Sequence, residues 1–194
     1  MNFADLDLQR SYTYEDYYSW PFEERTELIK GRVFAKGPSP GPVHNQVRGY
    51  IGYELGTFLK GKKAEVYYAP FDVRFPDNSK EDKDIITVLQ PDICVVCDIS
   101  KLDYRGCIGA PDIVVEILSP GNNSKVLKNK YEVYEESGVK EYWVVSLQDE
   151  TFIVYTLTNG RYYASRLMVA GDIITSSVLD GFSLDFTQLF RRVH

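Results

Sequence analysis

The stretch "PDIVVEILSPGNN", residues 111–123, has the alternation of a buried β-strand but carries an acid in its middle. The two-residue period of a strand places Glu116 on the same face as Val114 and Leu118, and the opposite face is entirely apolar. An unpaired ionised carboxylate among packed residues is costly, because in a low dielectric it must shift its pKa or find a partner. The stretch therefore predicts a core strand whose acid has a cationic partner.

A second segment, "LQPDICVVC" (89–97), also contains a Pro-Asp pair followed by a strand pattern. If the strand that starts at Asp92 runs beside the strand of Glu116, the two carboxylates can converge on a divalent metal, because hard cations prefer oxygen ligands. Mg²⁺ held by two carboxylates, waters and a substrate phosphate is the usual arrangement for phosphodiester cleavage. The pair at 111–112 is better explained as strand entry, where a proline is tolerated because it has no N–H to donate.

The next segment, "SKVLKNKYEVYEESG" (124–138), predicts a helix with Ser124 as candidate N-cap and Gly138 just past its end. Lys130 lies next to the apolar stripe of this helix rather than opposite it. An inward ammonium group can orient an attacking water and stabilise the negative charge that develops in the reaction. A helix lysine that only extends its charge to solvent is the alternative explanation.

The remaining chain shows alternating helix and strand patterns within a length suited to one domain. "TYEDYYSW" (13–20) predicts a short helix with Thr13 as N-cap, and Lys30-Gly31 predicts a hairpin turn. Apolar residues at intervals of four predict a long helix over 43–59, and strand patterns fill most of 64–98 and 140–176. This order predicts an α/β (α+β) fold with a mixed sheet flanked by helices and a β-rich C-terminal part.

The charge and the N-terminus limit the classes of function. A net charge of −6 and a pI near 5.0 argue against bulk coating of nucleic acid, which requires clustered cations. A nucleic acid could bind such a protein only at a local basic rim. The candidates for this rim are Lys60, Lys62, Lys63, Lys125 and Lys128. The first residues have neither a basic start nor an apolar stretch, and we expect a cytoplasmic protein that does not enter membranes.

Two short patterns are explained without a site. Cys94 and Cys97 form a C-x-x-C within a strand, where positions three apart point to opposite faces, so buried thiols are expected instead of zinc. Ser119, Asn122 and Asn123 could cradle a phosphate at the start of the next helix. Their segment lacks the spacing of a P-loop, and a turn with an N-cap explains it better.

Five segments, in their order and spacing, resemble the Uma-type restriction endonuclease family of the PD-(D/E)XK nuclease superfamily. They are "ELIKGRVF" (27–34), "PSPGPVHNQV" (38–47), "QPDICVVCD" (90–98), "GAPDIVVEILSP" (109–120) and "KYEVYEESGVKEYWVV" (130–145). The resemblance spans about residues 12–190. It implies a single restriction-endonuclease-like domain over 1–194, with a core of helix, three strands, helix and strand. It also implies cleavage of DNA that depends on Mg²⁺ or Mn²⁺.

The resemblance also implies roles for individual residues. Asp92 and Glu116 match the two acids of the signature, which bind the metal. Leu118 stands where the signature lysine would be, and Lys130 matches the lysine that acts from the following helix in this family. The function implied is a Mg²⁺-dependent DNA endonuclease in which Lys130 positions the attacking water.

Two further matches and two differences complete the comparison with the family pattern. Glu27 would be an extra metal or water contact, and His44 could touch phosphate or carry a proton. Val126 and Ser146 stand where family members often carry acids.

The alternative function is a catalytically inactive protein of this fold that acts as a DNA-binding or interaction module. A two-carboxylate glycosidase would leave the lysine helix without a role. A homodimer would double the contacts with phosphate.

Overall fold

The computed structural model describes residues 3–22, 24–37, 40–119 and 124–191. Its α-helices are α1 (Tyr14–Ser19), α2 (Pro42–Leu59), α3 (Ser124–Ser137) and α4 (Phe186–Phe190), and short 3₁₀ helices span Phe3–Asp5 and Ile99–Lys101. Its β-strands are β1 (Thr26–Ile29), β2 (Arg32–Ala35), β3 (Glu65–Tyr68), β4 (Asp72–Arg74), β5 (Val88–Leu89), β6 (Ile93–Val96), β7 (Leu102–Asp103), β8 (Gly106–Ile108), β9 (Ile113–Leu118), β10 (Glu141–Ser146), β11 (Thr151–Thr158), β12 (Arg161–Ala164), β13 (Ile173–Thr175) and β14 (Ser183–Asp185).

The main sheet, which contains β6 and β9, is mixed and has the strand order β12-β11-β10-β9-β6-β3. Strand β9 pairs parallel with β10 and antiparallel with β6, and the other pairs of this sheet are antiparallel. The connection between the parallel strands β9 and β10 is α3, as a crossover of this kind requires. The prediction that the strand after Asp92 runs beside the strand of Glu116 is confirmed.

Both faces of this sheet are covered, which explains why β9 is apolar on both faces apart from Glu116. On one face Ile113, Val115 and Ile117 pack with buried residues of α2, including Ile51 and Leu55. On the other face Val114 belongs to a second cluster, to which α3 contributes Val133 and Tyr134. Glu116, which the two-residue period assigns to that same face, therefore lies on the α3 side of the sheet.

A second sheet, with the order β2-β1-β5-β4-β8-β7, lies against the α3 side of the main sheet. The hairpin β1–β2 turns at Lys30 and Gly31, whose φ angles of 48° and 78° are those of a type I′ turn. This hairpin was predicted, whereas the sheet it joins was not. The second sheet matters because it brings β1 into contact with α3 and so places Glu27 close to that helix.

The order α2, β3, β6, β9, α3, β10 matches the expected core of helix, three strands, helix and strand. In the β-rich C-terminal part, β11 and β12 extend the main sheet, and β13 pairs with β14 separately. The terminal helix α4 packs against α2. The predicted fold class, a mixed sheet flanked by helices, is thus confirmed.

Several smaller predictions have clear outcomes. Cys94 is a buried free thiol on the α3 side of the main sheet, as expected, whereas Cys97, on the other side near the end of the strand, is a free thiol that is only half-buried. Asp112 is buried and accepts hydrogen bonds from Lys140 Nζ and the Cys97 backbone N–H, both at 2.7 Å, so its role is structural. Helix α3 begins at Ser124, and Asn122 and Asn123 lie outside the described residues. Within the described ranges, no helix is both long and apolar enough to cross a membrane.

Candidate active site

The acid that precedes β6 is held by contacts from two other elements. Asp92 Oδ2 accepts a hydrogen bond of 2.8 Å from the backbone N–H of Ile117 on β9, and it lies 3.3 Å from His44 Nε2. Strand register aligns Ile93 with Val115, and extending this register by one residue places Asp92 opposite Glu116. The two acids predicted to act together are therefore cross-strand neighbours.

The cationic partner predicted for Glu116 is Lys130. The Lys130 ammonium donates to Glu116 Oε1 at 2.8 Å, and the Tyr134 hydroxyl donates to the same oxygen at 2.8 Å. Lys130 and Tyr134 are four residues apart and therefore lie on the same face of α3. The alternative, a lysine extended to solvent, is wrong because the Lys130 side chain is only 5% exposed.

The third acid comes from the second sheet. Glu27 Oε1 accepts from Lys130 Nζ at 2.9 Å and from the Gln90 backbone N–H at 2.9 Å. One ammonium group thus links carboxylates from β1 and β9. The five residues proposed from the sequence, namely Glu27, His44, Asp92, Glu116 and Lys130, are each at most 8% exposed. They form two adjacent groups, Glu27–Lys130–Glu116 and His44–Asp92, and Asp92 also accepts from the N–H of Ile117, the residue after Glu116. We call the two groups together the acid–lysine cluster.

The pKa values in this cluster move in opposite directions. Burial raises the pKa of Glu116 above its usual range, the nearby charges of Asp92 and Glu27 raise it further, and Lys130 only partly offsets the rise. Burial also acts to raise the pKa of Glu27, but Lys130 and Lys36 outweigh it and hold that pKa below the usual range. Glu116 is therefore the carboxylate whose negative charge is least compensated.

The pKa values of Asp92 and Lys130 follow from the same competition. Burial acts to raise the pKa of Asp92, but the hydrogen bond and charge of His44 and the Ile117 N–H together lower it below its ordinary value. Burial acts to lower the pKa of Lys130, and the carboxylates of Glu116 and Glu27 raise it well above its ordinary value. Both groups are therefore charged at neutral pH.

His44 enters the site from the first turn of α2, which begins with Pro42 at its first position. The imidazole is buried, with Nε2 directed at Asp92. Its other nitrogen, Nδ1, is buried and has no hydrogen-bond partner in the part of the chain that the structure describes. His44 thus has one ring nitrogen available for a group that arrives with a substrate.

Sequence reasoning missed two residues that complete the cluster. Lys36 Nζ lies 3.3 Å from Glu27 Oε1 and donates to the Gln90 carbonyl oxygen. Gln90, the residue before Pro91-Asp92, bonds the cluster through both its N–H and its C=O. A lysine just past a short hairpin strand carries no local signal, because its neighbour Gln90 is more than fifty residues away in sequence. For Gln90, the sequence signal was its position directly before the Pro-Asp pair of the site.

The basic residues proposed as a DNA rim are not gathered at this cluster. Lys60, Lys62 and Lys63 are exposed, but Lys60 lies at the opposite end of α2 from His44, roughly 24 Å along the helix axis. Lys128 is exposed on α3 and forms a salt bridge of 3.8 Å with Glu132, whereas the Lys125 side chain lies outside the described structure. Among the described residues, the lysines in contact with these acids are Lys36 and Lys130.

No group of three or more His, Cys, Asp and Glu side chains is arranged to hold a metal ion within the described ranges. Mg²⁺, however, is commonly bound through only one or two carboxylates, with waters and substrate phosphates as its other ligands. Asp92 and Glu116 provide such a pair, and the pKa of Glu116 is raised in part by the charge of Asp92. A cation between them would relieve this repulsion, so the donor set fits a hard divalent ion.

The fold and the buried cluster of acids and lysines define a restriction-endonuclease-like protein. A family model, Uma2, described as "Putative restriction endonuclease", matches residues 14–187, and the chain belongs to this family. Membership supports nuclease activity as the general class of function.

One solved structure is similar over nearly the whole chain. It is the crystal structure of a "putative nuclease belonging to DUF820" from Anabaena variabilis. The TM-score is 0.72 at 20% identity, over 93% of this chain and 98% of that one, which shows a shared fold. A comparison with curated proteins gives no match.

Proposed function

We propose that this protein is a Mg²⁺-dependent DNA endonuclease in which Asp92 and Glu116 bind the metal and Lys130 orients the attacking water. One observation carries the proposal: the register of β6 and β9, extended by one residue, aligns Asp92 with Glu116, and Lys130 Nζ is 2.8 Å from the Glu116 carboxylate. Structural ion pairs rarely place three carboxylates and two ammonium groups in one buried cluster, because the desolvation of so many charges is costly. Such a cost is typical of functional sites.

Asp92 and Glu116 would hold the ion through their carboxylate oxygens. When bound, Mg²⁺ polarises the phosphate, lowers the pKa of a bound water and stabilises the leaving oxygen. The choice of Mg²⁺ or Mn²⁺ follows from the all-oxygen donor pair, since hard oxygen ligands suit both ions.

The other residues position groups and carry charge. An ammonium group has three N–H donors, and Lys130 uses two of them on Glu116 and Glu27, which leaves the third for a water molecule. Glu27 holds Lys130 from the opposite side. His44 orients Asp92 and presents its unpaired Nδ1. In the neutral ring with its proton on Nε2, Nδ1 can accept a proton, and in the imidazolium form Nδ1–H can donate to a phosphate oxygen.

Cleavage of supercoiled plasmid tests the proposal. The wild type, Glu116→Gln and the control Glu132→Gln are each incubated with Mg²⁺, Mn²⁺ or EDTA. Glu132 is on the exposed surface of α3, so its substitution removes the same charge outside the cluster. We expect cutting by the wild type and the control with either metal, none with EDTA, and none by Glu116→Gln while its circular dichroism spectrum stays native.

The alternative is an inactive member of the fold that binds DNA or a partner. It is favoured by one contact: Glu116 Oε1 already accepts from both Lys130 and Tyr134, as a purely structural polar cluster would require. Equal cutting in all tubes would reveal a contaminating nuclease. No cutting in any tube, together with DNA retention in a filter-binding assay, would support the binding module and contradict the proposed catalysis.

A further inference from the structure

A groove of about 230 Å³ with aromatic walls lies beside the acid–lysine cluster. Tyr17, Tyr18, Trp20 and Phe22 line it, all from α1 and the segment that follows. Trp20 and Phe22 are stacked, with ring centroids 5.2 Å apart and planes at 22°, and Tyr18 is 57% exposed. This volume is below the usual range of about 300–1,000 Å³ for pockets that enclose drug-sized ligands, so it suits a single ring system.

One residue that lines the groove, Gln90, carries a buried side-chain oxygen without a partner among the described residues. Gln90 is 9% exposed and lines the groove, and its Oε1 is buried with no hydrogen-bond donor among the described residues. The amide nitrogen of the same side chain fixes its orientation, because Gln90 Nε2 donates to the Tyr17 hydroxyl at 3.2 Å and to Asp72 Oδ1 at 2.9 Å. An unsatisfied buried acceptor costs free energy, and a ligand that brings an N–H group would remove that cost.

The groove is continuous with the candidate active site. Its lining includes Thr26, which directly precedes Glu27 on β1. It also includes Gln90, whose N–H donates to Glu27 Oε1 and whose carbonyl oxygen accepts from Lys36. A ring bound in the groove would thus lie against Gln90, whose main chain contacts Glu27 and Lys36.

We propose that this groove binds one unpaired nucleobase of a single-stranded segment of DNA, next to the phosphate that is cut. This inference rests on the proposed function, because it assigns a substrate subsite to the same cluster. Stacked and paired bases in a duplex present only their edges to protein, whereas an unpaired base presents a face to aromatic side chains. Its Watson–Crick N–H group is also free to satisfy Gln90 Oε1, which a paired base could not do.

The electrostatics of the groove favour one base over a long backbone contact. Arg25 and Glu24 both line it, so their charges offset each other, and the whole chain carries a net charge of −6. Affinity from phosphate neutralisation requires clustered cations, whereas Arg25 is the single cation among the described residues that line the groove. Stacking of a base on aromatic rings depends little on charge or sequence, so it can supply affinity that the surface charge does not.

Binding measured in EDTA tests this inference without cleavage. The full chain is titrated into a labelled single-stranded oligothymidylate and into a duplex of the same length, with anisotropy as the binding readout. Intrinsic fluorescence reports the groove as well, because Trp20 lines it and the second tryptophan, Trp143, is fully buried. We expect tighter binding of the single strand, with quenching that Trp20→Phe abolishes.

Tyr18→Ala and Tyr163→Ala form the matched pair of variants. Both tyrosines are exposed, at 57% and 63%, but Tyr163 lies on β12 and does not line the groove. Loss of one stacking ring should weaken single-strand binding about 5- to 100-fold in Tyr18→Ala, and Tyr163→Ala should bind like the wild type. Thermal unfolding by circular dichroism checks that both variants are folded.

The outcomes separate this inference from the proposed function. Equal affinity for single strand and duplex, no quenching of Trp20, or equal losses in the two tyrosine variants would each overturn the inference, even if plasmid is cut with Mg²⁺. Selective single-strand binding with quenching would support the groove even if no metal promotes cutting, and in that case only the catalytic proposal would fail.

Discussion

Replacement of Lys130 by methionine tests how much the buried ion pairs depend on one ammonium group. Methionine keeps most of the aliphatic volume of lysine, so the variant removes the charge without opening a large cavity. Glu116 and Glu27, which contact Lys130 Nζ at 2.8 and 2.9 Å, would lose their shared cation while staying buried. Removal of one partner from a buried pair costs about 3–5 kcal/mol, because the remaining charge is uncompensated.

Urea unfolding followed by circular dichroism measures this loss. With a slope of about 2 kcal/mol/M, a loss of about 4 kcal/mol lowers the midpoint by about 2 M at neutral pH. Lys128→Met is the matched control on the same helix, since the Lys128 side chain is 77% exposed and its salt bridge is worth about 0.5 kcal/mol or less.

The pH dependence and a double variant sharpen the test. In Lys130→Met the pKa of buried Glu116 should lie above its value in the unfolded chain, so the destabilisation should shrink as the pH falls and protons bind the native state. Lys130→Met combined with Glu116→Gln should recover part of the lost stability, because one of the two unpaired charges is removed. A midpoint for Lys130→Met equal to that of Lys128→Met would refute the reasoning.

Three further changes have defined outcomes. Lys36→Met should lower metal-dependent cleavage about 100-fold, because it removes a cation beside the acids. Asp112→Asn should cost about 1–3 kcal/mol of unfolding free energy at neutral pH, since the buried carboxylate is bonded by Lys140. Burial acts to raise the pKa of Asp112, but Lys140 and a backbone N–H lower it below its ordinary value of about 4, so this cost should shrink as the pH falls below about 4 and vanish only once the pH is below that lowered pKa. Leu55→Ala should cost about 2–5 kcal/mol, because Leu55 is fully buried on α2.

Plasmid cleavage measures the first of these changes and urea unfolding the other two. Cleavage by Lys36→Met at the wild-type rate would contradict a role for that ammonium. A destabilisation of Asp112→Asn that is the same at pH 7 and at low pH would show that the carboxylate charge is irrelevant. An unchanged midpoint in Leu55→Ala would contradict the packing of α2 on the main sheet.

The local sequence pattern was sufficient to predict a helix or strand wherever that element is long enough to show a hydrophobic pattern. The six residues of β9 form an apolar run that only Glu116 interrupts, and the apolar stripes of α2 and α3 show helical spacing. From these patterns the sequence predicted that Glu116 is buried and that Lys130 points inward. The cross-strand position of Asp92 followed once β6 was assumed to lie beside β9.

Local pattern was insufficient for the second sheet. Strands β5 and β7 have two residues each, and β4 and β8 have three, which is too short for any alternation to be visible. The ring of Tyr134 fits the apolar stripe of α3, and only the structure shows its hydroxyl on the Glu116 carboxylate. An amphipathic tyrosine fits a core position by its ring, so its hydroxyl contact is invisible in a hydrophobic pattern.

The sequence by itself determined the main sheet, the two helices that cover it and the burial of an acid and a lysine, because hydrophobic periodicity acts over neighbouring residues. Only the tertiary structure decided which charges meet. Glu27, Lys36 and Gln90 reach the cluster through the pairing of short strands from distant parts of the chain. Their contacts depend on how two sheets pack around α3, and no local pattern of residues encodes that packing.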